Sequence, residues 1–195
     1  LHALQAWRKL SDALGHPVFE IPLPPPAVPG LRLNETLLTA ARTAGVRLVQ
    51  GNRVVSARVT EGRVAAVTVA QAGAAREYPA EAFVLASGGF ESGALAMDSY
   101  GTLTETIFGL PLAGQDAGEL VHGDYWGAQQ PLFAVGVGVE ASMRPVDAAG
   151  APVYPNLYAA GGILAGAYRW SEKSGEGIAV GSAVKAADAI VRELA

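Results

Sequence analysis

Two stretches of this sequence place small residues and hydroxyls where apolar runs end. The first is Val84-Leu85-Ala86-Ser87-Gly88-Gly89-Phe90. Its apolar start suits a strand buried on both faces, and the hydroxyl and paired glycines let a second backbone or a ligand approach closely. The second is Leu157-Tyr158-Ala159-Ala160-Gly161-Gly162, with Ser174-Gly175-Glu176-Gly177-Ile178 opening a long helix beyond it. Free N–H groups and the positive end of the dipole gather at such a helix start, where they suit an anion or a ligand's carbonyl and hydroxyl oxygens. Candidate cofactor neighbours are therefore Ser87, Gly88, Gly89, Gly161, Gly162, Gly175, Gly177 and Ile178. Each stretch also has a plainer reading. The first reads as an ordinary glycine turn, and the second as Ser174 at an N-cap with Glu176 in the first turn.

Other residues are candidates by type. His122, beside Gly123-Asp124-Tyr125-Trp126, is a candidate general acid or base, and a solvated loop histidine is the alternative. Arg32, Arg144 and Arg169 sit in or beside glycine-rich loops, and a guanidinium grips phosphate or carboxylate through two N–H groups. Of these, Arg144 and Arg169 are the candidate substrate-binding residues. Gly136-Val137-Gly138-Val139-Glu140-Ala141 matches G-x-G-x-x-A in its letters. It lies in a β-rich run and leads to Met143-Arg144-Pro145 rather than a helix, so it is not read as a dinucleotide fingerprint. There is no His pair at i, i+4, no acidic cluster with metal-site spacing and no G-x-S-x-G elbow. No metal site is expected.

Composition narrows the class. The chain has 195 residues, enough for one domain or two small ones, and no Cys, which removes iron–sulfur and thiolate zinc ligation from within it. A formal net charge of −4 with no basic run leaves no electrostatic footprint for nucleic acid. No apolar run reaches the ~18 residues of a transmembrane helix. Trp7, Arg8 and Lys9 stand where the apolar core of a signal peptide would be.

The elements that must position the candidates read as mixed α and β. Leu4, Trp7, Leu10 and Leu14 predict a helix over 3–14, ended by Gly15. Residues 18–21 read as a strand, and 22–26 as an extended polyproline linker closed by a Pro29-Gly30 turn. A helix over 32–44 presents Leu33, Leu37, Ala40, Ala41 and Ala44 on one face, with Gly45 as its cap. Strands follow at 46–49, at 54–59 and 64–69 as a hairpin, and at 82–86. Residues 90–132 show no sustained period. Further strands are expected at 132–139 and 156–160. The closing helix from Gly175 to Leu194 carries an apolar stripe of Val180, Val184, Ala187, Val191 and Leu194. The expected division is a helix and Pro-rich linker (1–31), a helix plus sheet (32–90), a loop-rich, cap-like substrate segment (91–156) and a closing strand and helix (157–195).

Phe83-Val84-Leu85-Ala86-Ser87-Gly88-Gly89-Phe90 and Pro155-Asn156-Leu157-Tyr158-Ala159-Ala160-Gly161 resemble two strands of the fumarate reductase and succinate dehydrogenase flavoprotein superfamily. A closer resemblance is to the B-subunit family of anaerobic glycerol-3-phosphate dehydrogenase. It runs through Pro24-Pro25-Pro26, Gly30-Leu31-Arg32-Leu33, Ile107-Phe108-Gly109-Leu110, Gly123-Asp124-Tyr125-Trp126 and Met143-Arg144-Pro145 in that family's order. The resemblance covers nearly all of this chain and the C-terminal part of the family chain. It implies the C-terminal part of an FAD/NAD(P)-binding, Rossmann-like α/β fold with an antiparallel hairpin sheet, the N-terminal dinucleotide-binding motif being absent. It implies FMN as cofactor, with FAD as the alternative. It also implies oxidation of sn-glycerol 3-phosphate to dihydroxyacetone phosphate, with electrons passed toward a quinone. The partners implied are an FAD-bearing catalytic subunit and an iron–sulfur subunit at the cytoplasmic membrane face. The alternatives are another flavoprotein of the superfamily and a subunit that only scaffolds its partners.

Overall fold

A computed structural model describes residues 3–19, 21, 23, 24, 26–116, 118–124 and 126–195. The side chain of Leu4 and residues Glu20, Pro22, Pro25 and Tyr125, on which parts of the predicted helix stripe, strand, linker and aromatic motif rest, lie outside them. The chain divides into two compact units, one ending at Gly51 and the other spanning Asn52–Ala195. The division falls within the predicted 32–90 segment. The predicted strand at 46–49 does not form; those residues are irregular and pair with nothing regular.

In the first unit, α1 (Ala3–Leu14) stops at Gly15, whose φ of +64° is open to glycine at no steric cost. The Trp7 indole N–H donates to the Val18 carbonyl and ties the following segment to the helix. Helix α2 (Val28–Thr43) begins four residues before the predicted start. Pro29 is no turn but part of the first helical turn, where its missing N–H is one the helix leaves unpaired anyway. The predicted cap at Gly45 is present. Gly45 N–H donates to Arg42 O and Val46 N–H to Ala41 O, both at 3.0 Å, which closes the helix end.

The second unit starts with an antiparallel meander. Strand β1 (Arg53–Thr60) pairs with β2 (Arg63–Gln71), which pairs with β3 (Ala74–Pro79). Glu61 and Gly62 both take positive φ, 51° and 73°, the geometry of a two-residue hairpin. Val64, Ala66 and Val69 of β2 are buried. Beyond it, β4 (Phe83–Leu85) pairs in parallel with β9 (Leu157–Ala159). The pair is extended at one end by Phe83 N–H to Asn156 O and at the other by Ala160 N–H to Leu85 O, each 2.9 Å. Leu85, Leu157 and Ala159 are buried, but Val84 is 47% exposed, so β4 is covered on one face rather than both.

Residues 90–137 hold strands too short to show a period: β5 (Leu95–Met97) with β6 (Leu103–Glu105), and β7 (Leu112–Ala113) with β8 (Gly136–Val137). The expected strand at 132–139 is a 3-10 turn, Pro131–Ala134, followed by β8 alone. Polar side chains hold this region. The buried Glu105 carboxylate accepts the N–H groups of Ile107 at 2.9 Å and Phe108 at 2.7 Å. Leu95, Leu110, Leu112, Val137 and Ile163 join Val64, Leu85 and Leu157 in one core.

A single turn, α3 (Arg169–Glu172), leads to α4 (Gly175–Leu194), whose bounds match the expectation. Its buried face does not. Ser182 and Ala186 are buried, and Ala189 and Ile190 pack toward Met143 and Tyr158. The predicted stripe is exposed, with Val180 at 65% and Val184 at 56%. The period identified an apolar face correctly, but nothing among the described residues covers it.

Candidate functional site

The two glycine turns leave the same end of the β4–β9 pair. After β4, Gly88 turns the chain at φ +81°, and Ser92 Oγ folds back to within 2.5 Å of the Ser87 carbonyl and 3.0 Å of the Gly89 carbonyl. After β9, Gly161 at φ +75° donates its N–H to Ser182 Oγ at 2.8 Å, which fixes this turn to α4. Between the turns lies the Arg169 guanidinium. A Cβ on Gly162 would stand 2.0 Å from Nη1, and one on Gly89 would stand 3.1 Å from Nη2 and 3.4 Å from the Gly162 carbonyl. Glu91 faces the same guanidinium at 3.5 Å. The two glycines therefore leave a crevice just wide enough for this guanidinium, which a β-carbon on either would crowd. Arg169 both fills it and supplies its positive charge.

Of the predicted neighbours, Gly88, Gly89, Gly161 and Gly162 are brought together with Arg169. Ser87 lines a separate hollow of about 240 Å³ shared with Arg53, Ser92 and Thr106. Its Oγ is buried with no hydrogen-bond partner among the described residues. Gly177 and Ile178 line an open hollow along α4, beside Lys173 and Lys185, and a Cβ on Gly175 or Gly177 would meet nothing within 4 Å. Ser174 holds the N-cap position, but its hydroxyl donates to Glu172 at 2.8 Å and accepts none of the N–H groups of the helix start. That leaves the first N–H groups of α4 without a side-chain cap among the described residues.

Arg144 is placed elsewhere. Its Nε reaches Glu140 at 3.0 Å and its Nη1 reaches Glu193 at 3.0 Å, near the C-terminal end of α4. At ~1.5 Å of rise per residue, Glu193 stands more than 20 Å along the helix from Gly175. Hydrogen bonding to Glu140 raises the Arg144 pKa, and this guanidinium is committed to two carboxylates. Glu193 also accepts the Tyr158 hydroxyl. Burial first, then the Glu193 carboxylate, pushes the Tyr158 phenol up from 10.0 to about 12.

That shift has a testable sign. The folded phenol holds its proton more tightly than the unfolded one, so its contribution is complete below pH 10 and is lost as pH rises from 10 toward about 12. The gap corresponds to roughly 2–3 kcal/mol at ~1.4 kcal/mol per pH unit. Denaturant titrations across this alkaline window should show the parent chain losing that much more stability than Tyr158→Phe. Parallel curves would show that Tyr158 does not carry the alkaline sensitivity.

His122 is not a solvated loop histidine. Gln130 Oε1 accepts its backbone N–H at 2.8 Å, while Gln130 Nε2 donates to its carbonyl at 2.9 Å and lies 3.2 Å from Nδ1. His122 borders a cavity of about 610 Å³ with Phe133, Tyr168 and Trp170. Sequence reasoning missed Gln130, Glu91 and Ser182. None belongs to a spacing motif, and each matters only through a contact made across the fold.

No group of His, Cys, Asp and Glu able to hold a metal ion occurs among the described residues. No helix among them is long and apolar enough to cross a membrane.

The family model described as FAD binding domain matches residues 1–178. The probable B subunit of anaerobic glycerol-3-phosphate dehydrogenase from Halobacterium salinarum is 37% identical over 180 residues, covering 92% of this chain and 42% of the relative. The B subunit of anaerobic glycerol-3-phosphate dehydrogenase from Pectobacterium atrosepticum is 34% identical over 187 residues, covering 95% of this chain and 43% of the relative. That of Vibrio vulnificus is 31% identical over 188 residues, with 94% and 41% covered. The chain thus spans about two fifths of the length of the curated relatives it matches. No solved structure matches.

Proposed function

This chain belongs to the FAD binding domain family, and on that premise we propose that it forms the C-terminal part of a flavin-dependent dehydrogenase subunit oxidising sn-glycerol 3-phosphate to dihydroxyacetone phosphate. The observation that carries the reading is the crevice between Gly89 and Gly162 at one end of the parallel pair, with Arg169 inside it. The names of the relatives support the substrate. The family match supports a flavin, FAD, as the cofactor and gives no support to the FMN that the resemblance put first.

The chain's residues fit such a group. Glycine turns at strand ends let a ligand approach the backbone once the flexible Arg169 side chain swings aside, and the first turn of α4 keeps N–H groups available to its oxygens. When bound, FAD supplies a two-electron acceptor for hydride from an alcohol carbon. Arg169 offers a planar donor fork to a phosphate or to a carbonyl that gathers negative charge, and Glu91 holds that fork in place until a ligand competes for it. Electrons leave toward a quinone through an FAD-bearing subunit and an iron–sulfur subunit. Those partners hold the protein, itself cytoplasmic, at the cytoplasmic membrane face.

Calorimetric titration with FAD and with FMN tests the site. FAD should bind saturably and more tightly than FMN. Gly162→Ala drives the flexible guanidinium from the crevice without touching backbone. It should weaken FAD about tenfold, roughly 1.4 kcal/mol, at nearly unchanged thermal stability. Equal affinity in the variant would place the flavin away from the crevice.

A further inference from the structure

Helix α4 is held so that it cannot roll. In its first half, Ser182 Oγ accepts the Gly161 N–H at 2.8 Å. Near its end, Glu193 binds Arg144 Nη1 at 3.0 Å and accepts the Tyr158 hydroxyl. Ser182, Ala186 and Ile190 take the inward face. At ~3.6 residues per turn, Val180, Val184, Ala187, Val191 and Leu194 then lie on the far side, and all of them are exposed. At ~1.5 Å per residue this stripe runs ~21 Å along the helix.

The stripe steps by four, three, four and three residues, the repeat of a seam between two helices. Spacing alone names no partner. The centre and the flanks of the stripe do. Ala187 stands at the midpoint, where a small side chain lets a second helix come close. Reversed about Ala187, the stripe matches itself: Val180 opposes Leu194, and Val184 opposes Val191. Lys185 and Asp188 flank the midpoint on the same side. An antiparallel second helix brings Lys185 of each beside Asp188 of the other. A parallel one would set like charge beside like.

We propose that the partner of this face is a second copy of the chain, its α4 packed antiparallel on the first across a two-fold axis at Ala187. The apolar side chains of both stripes then leave water along one seam. A lipid surface suits the face less well, since an acid flanks it as well as a base and no aromatic ring belongs to it. The pairing calls on no residue of the glycine crevice and goes beyond the flavin reading.

Sedimentation equilibrium of the purified chain at micromolar concentration should give twice the 20.0 kDa of one copy. Val184→Lys combined with Val191→Lys puts charge into the seam at side chains already exposed in the single chain. It should raise the dimer Kd at least a hundredfold at unchanged helix content by circular dichroism. The register has its own readout, because the chain contains no Cys. Ala187→Cys should form a disulfide between copies when diamide is added, the two sulfurs facing each other across the axis. Val180→Cys should not, because its two copies lie ~21 Å apart along the helices. Should the double lysine variant lose helix content, the two cysteine variants decide. A monomeric parent, a dimer that survives the folded double variant, or cross-linking at Val180 rather than Ala187 overturns the proposal. A monomer that instead takes up lipid vesicles on this face, or the part of the Halobacterium salinarum relative that the chain does not match, overturns it as well.

Discussion

Replacing Asn156 by Ala should lower the unfolding free energy by roughly 3 kcal/mol or more, the largest effect expected of any single truncation in the chain. Asn156 is buried just ahead of β9, and its side chain acts as a length of strand. Oδ1 accepts the Val64 N–H at 3.0 Å, while Nδ2 donates to the carbonyls of Val64 at 2.8 Å and Glu81 at 3.0 Å. One side chain thus joins the first residues of β2 to the approaches of both parallel strands. Val64 is buried too, so truncation strands its N–H and C=O away from water, and each such group costs about 1–3 kcal/mol. Asn156→Asp is the informative companion. It keeps the acceptor for Val64 N–H but turns a carboxylate oxygen toward two carbonyls, and should be at least as damaging. Guanidinium unfolding of both variants measures this. A loss below about 1 kcal/mol for Asn156→Ala would mean that water replaces the amide and that the sheets are held together otherwise.

Gly136→Ala should be nearly as costly, roughly 2–3 kcal/mol. A Cβ there would lie 2.5 Å from the Ile163 carbonyl oxygen and 2.8 Å from Ala165 N, both backbone atoms that cannot rotate away. Strand β8 would have to back off. The bonds from Ala165 N–H to Val137 O at 3.1 Å and from Gly166 N–H to Ala134 O at 2.9 Å would then stretch. Gly138→Ala is the control, because its Cβ would meet only side-chain carbons at 3.8 Å, an ordinary contact. Thermal unfolding should separate the two substitutions clearly. Equal stability would show that the segment after β9 yields freely.

The contrast between those glycines explains what the sequence could and could not convey. Its letters mark Gly136 and Gly138 alike, and the strand run around them argues against a dinucleotide fingerprint. The need for Gly136 depends on a backbone 27 residues further on, which no local pattern encodes. Elements that close on themselves were readable. The hairpin at Glu61-Gly62, the cap at Gly45 and the whole of α4 depend on neighbours in sequence. Apolar runs misled at 46–49, where no strand forms, and at 132–139, where only Gly136–Val137 pair, because β propensity states a fit to a sheet and not the presence of one. The stripe on α4 shows the same limit, since period finds the apolar face and says nothing of what covers it. At the site, glycine at strand ends was legible as residue type. The meeting of Gly89 and Gly162 over Arg169, and the clamp of Gln130 on His122, arise only from tertiary placement.

The parallel pair also sets an order of events during synthesis. Phe83 must wait for Leu157, 74 residues later, whereas β1, β2 and β3 are joined by tight turns. Closing a loop of that length costs on the order of 4 kcal/mol of chain entropy before any contact repays it. The meander can therefore form while the ribosome is still translating. Strand β4 must remain unpaired until β9, 74 residues later, has emerged, at about 5–20 residues per second. For those seconds its open edge is exposed to any other strand in reach, which makes this stretch of the nascent chain the natural client of a chaperone.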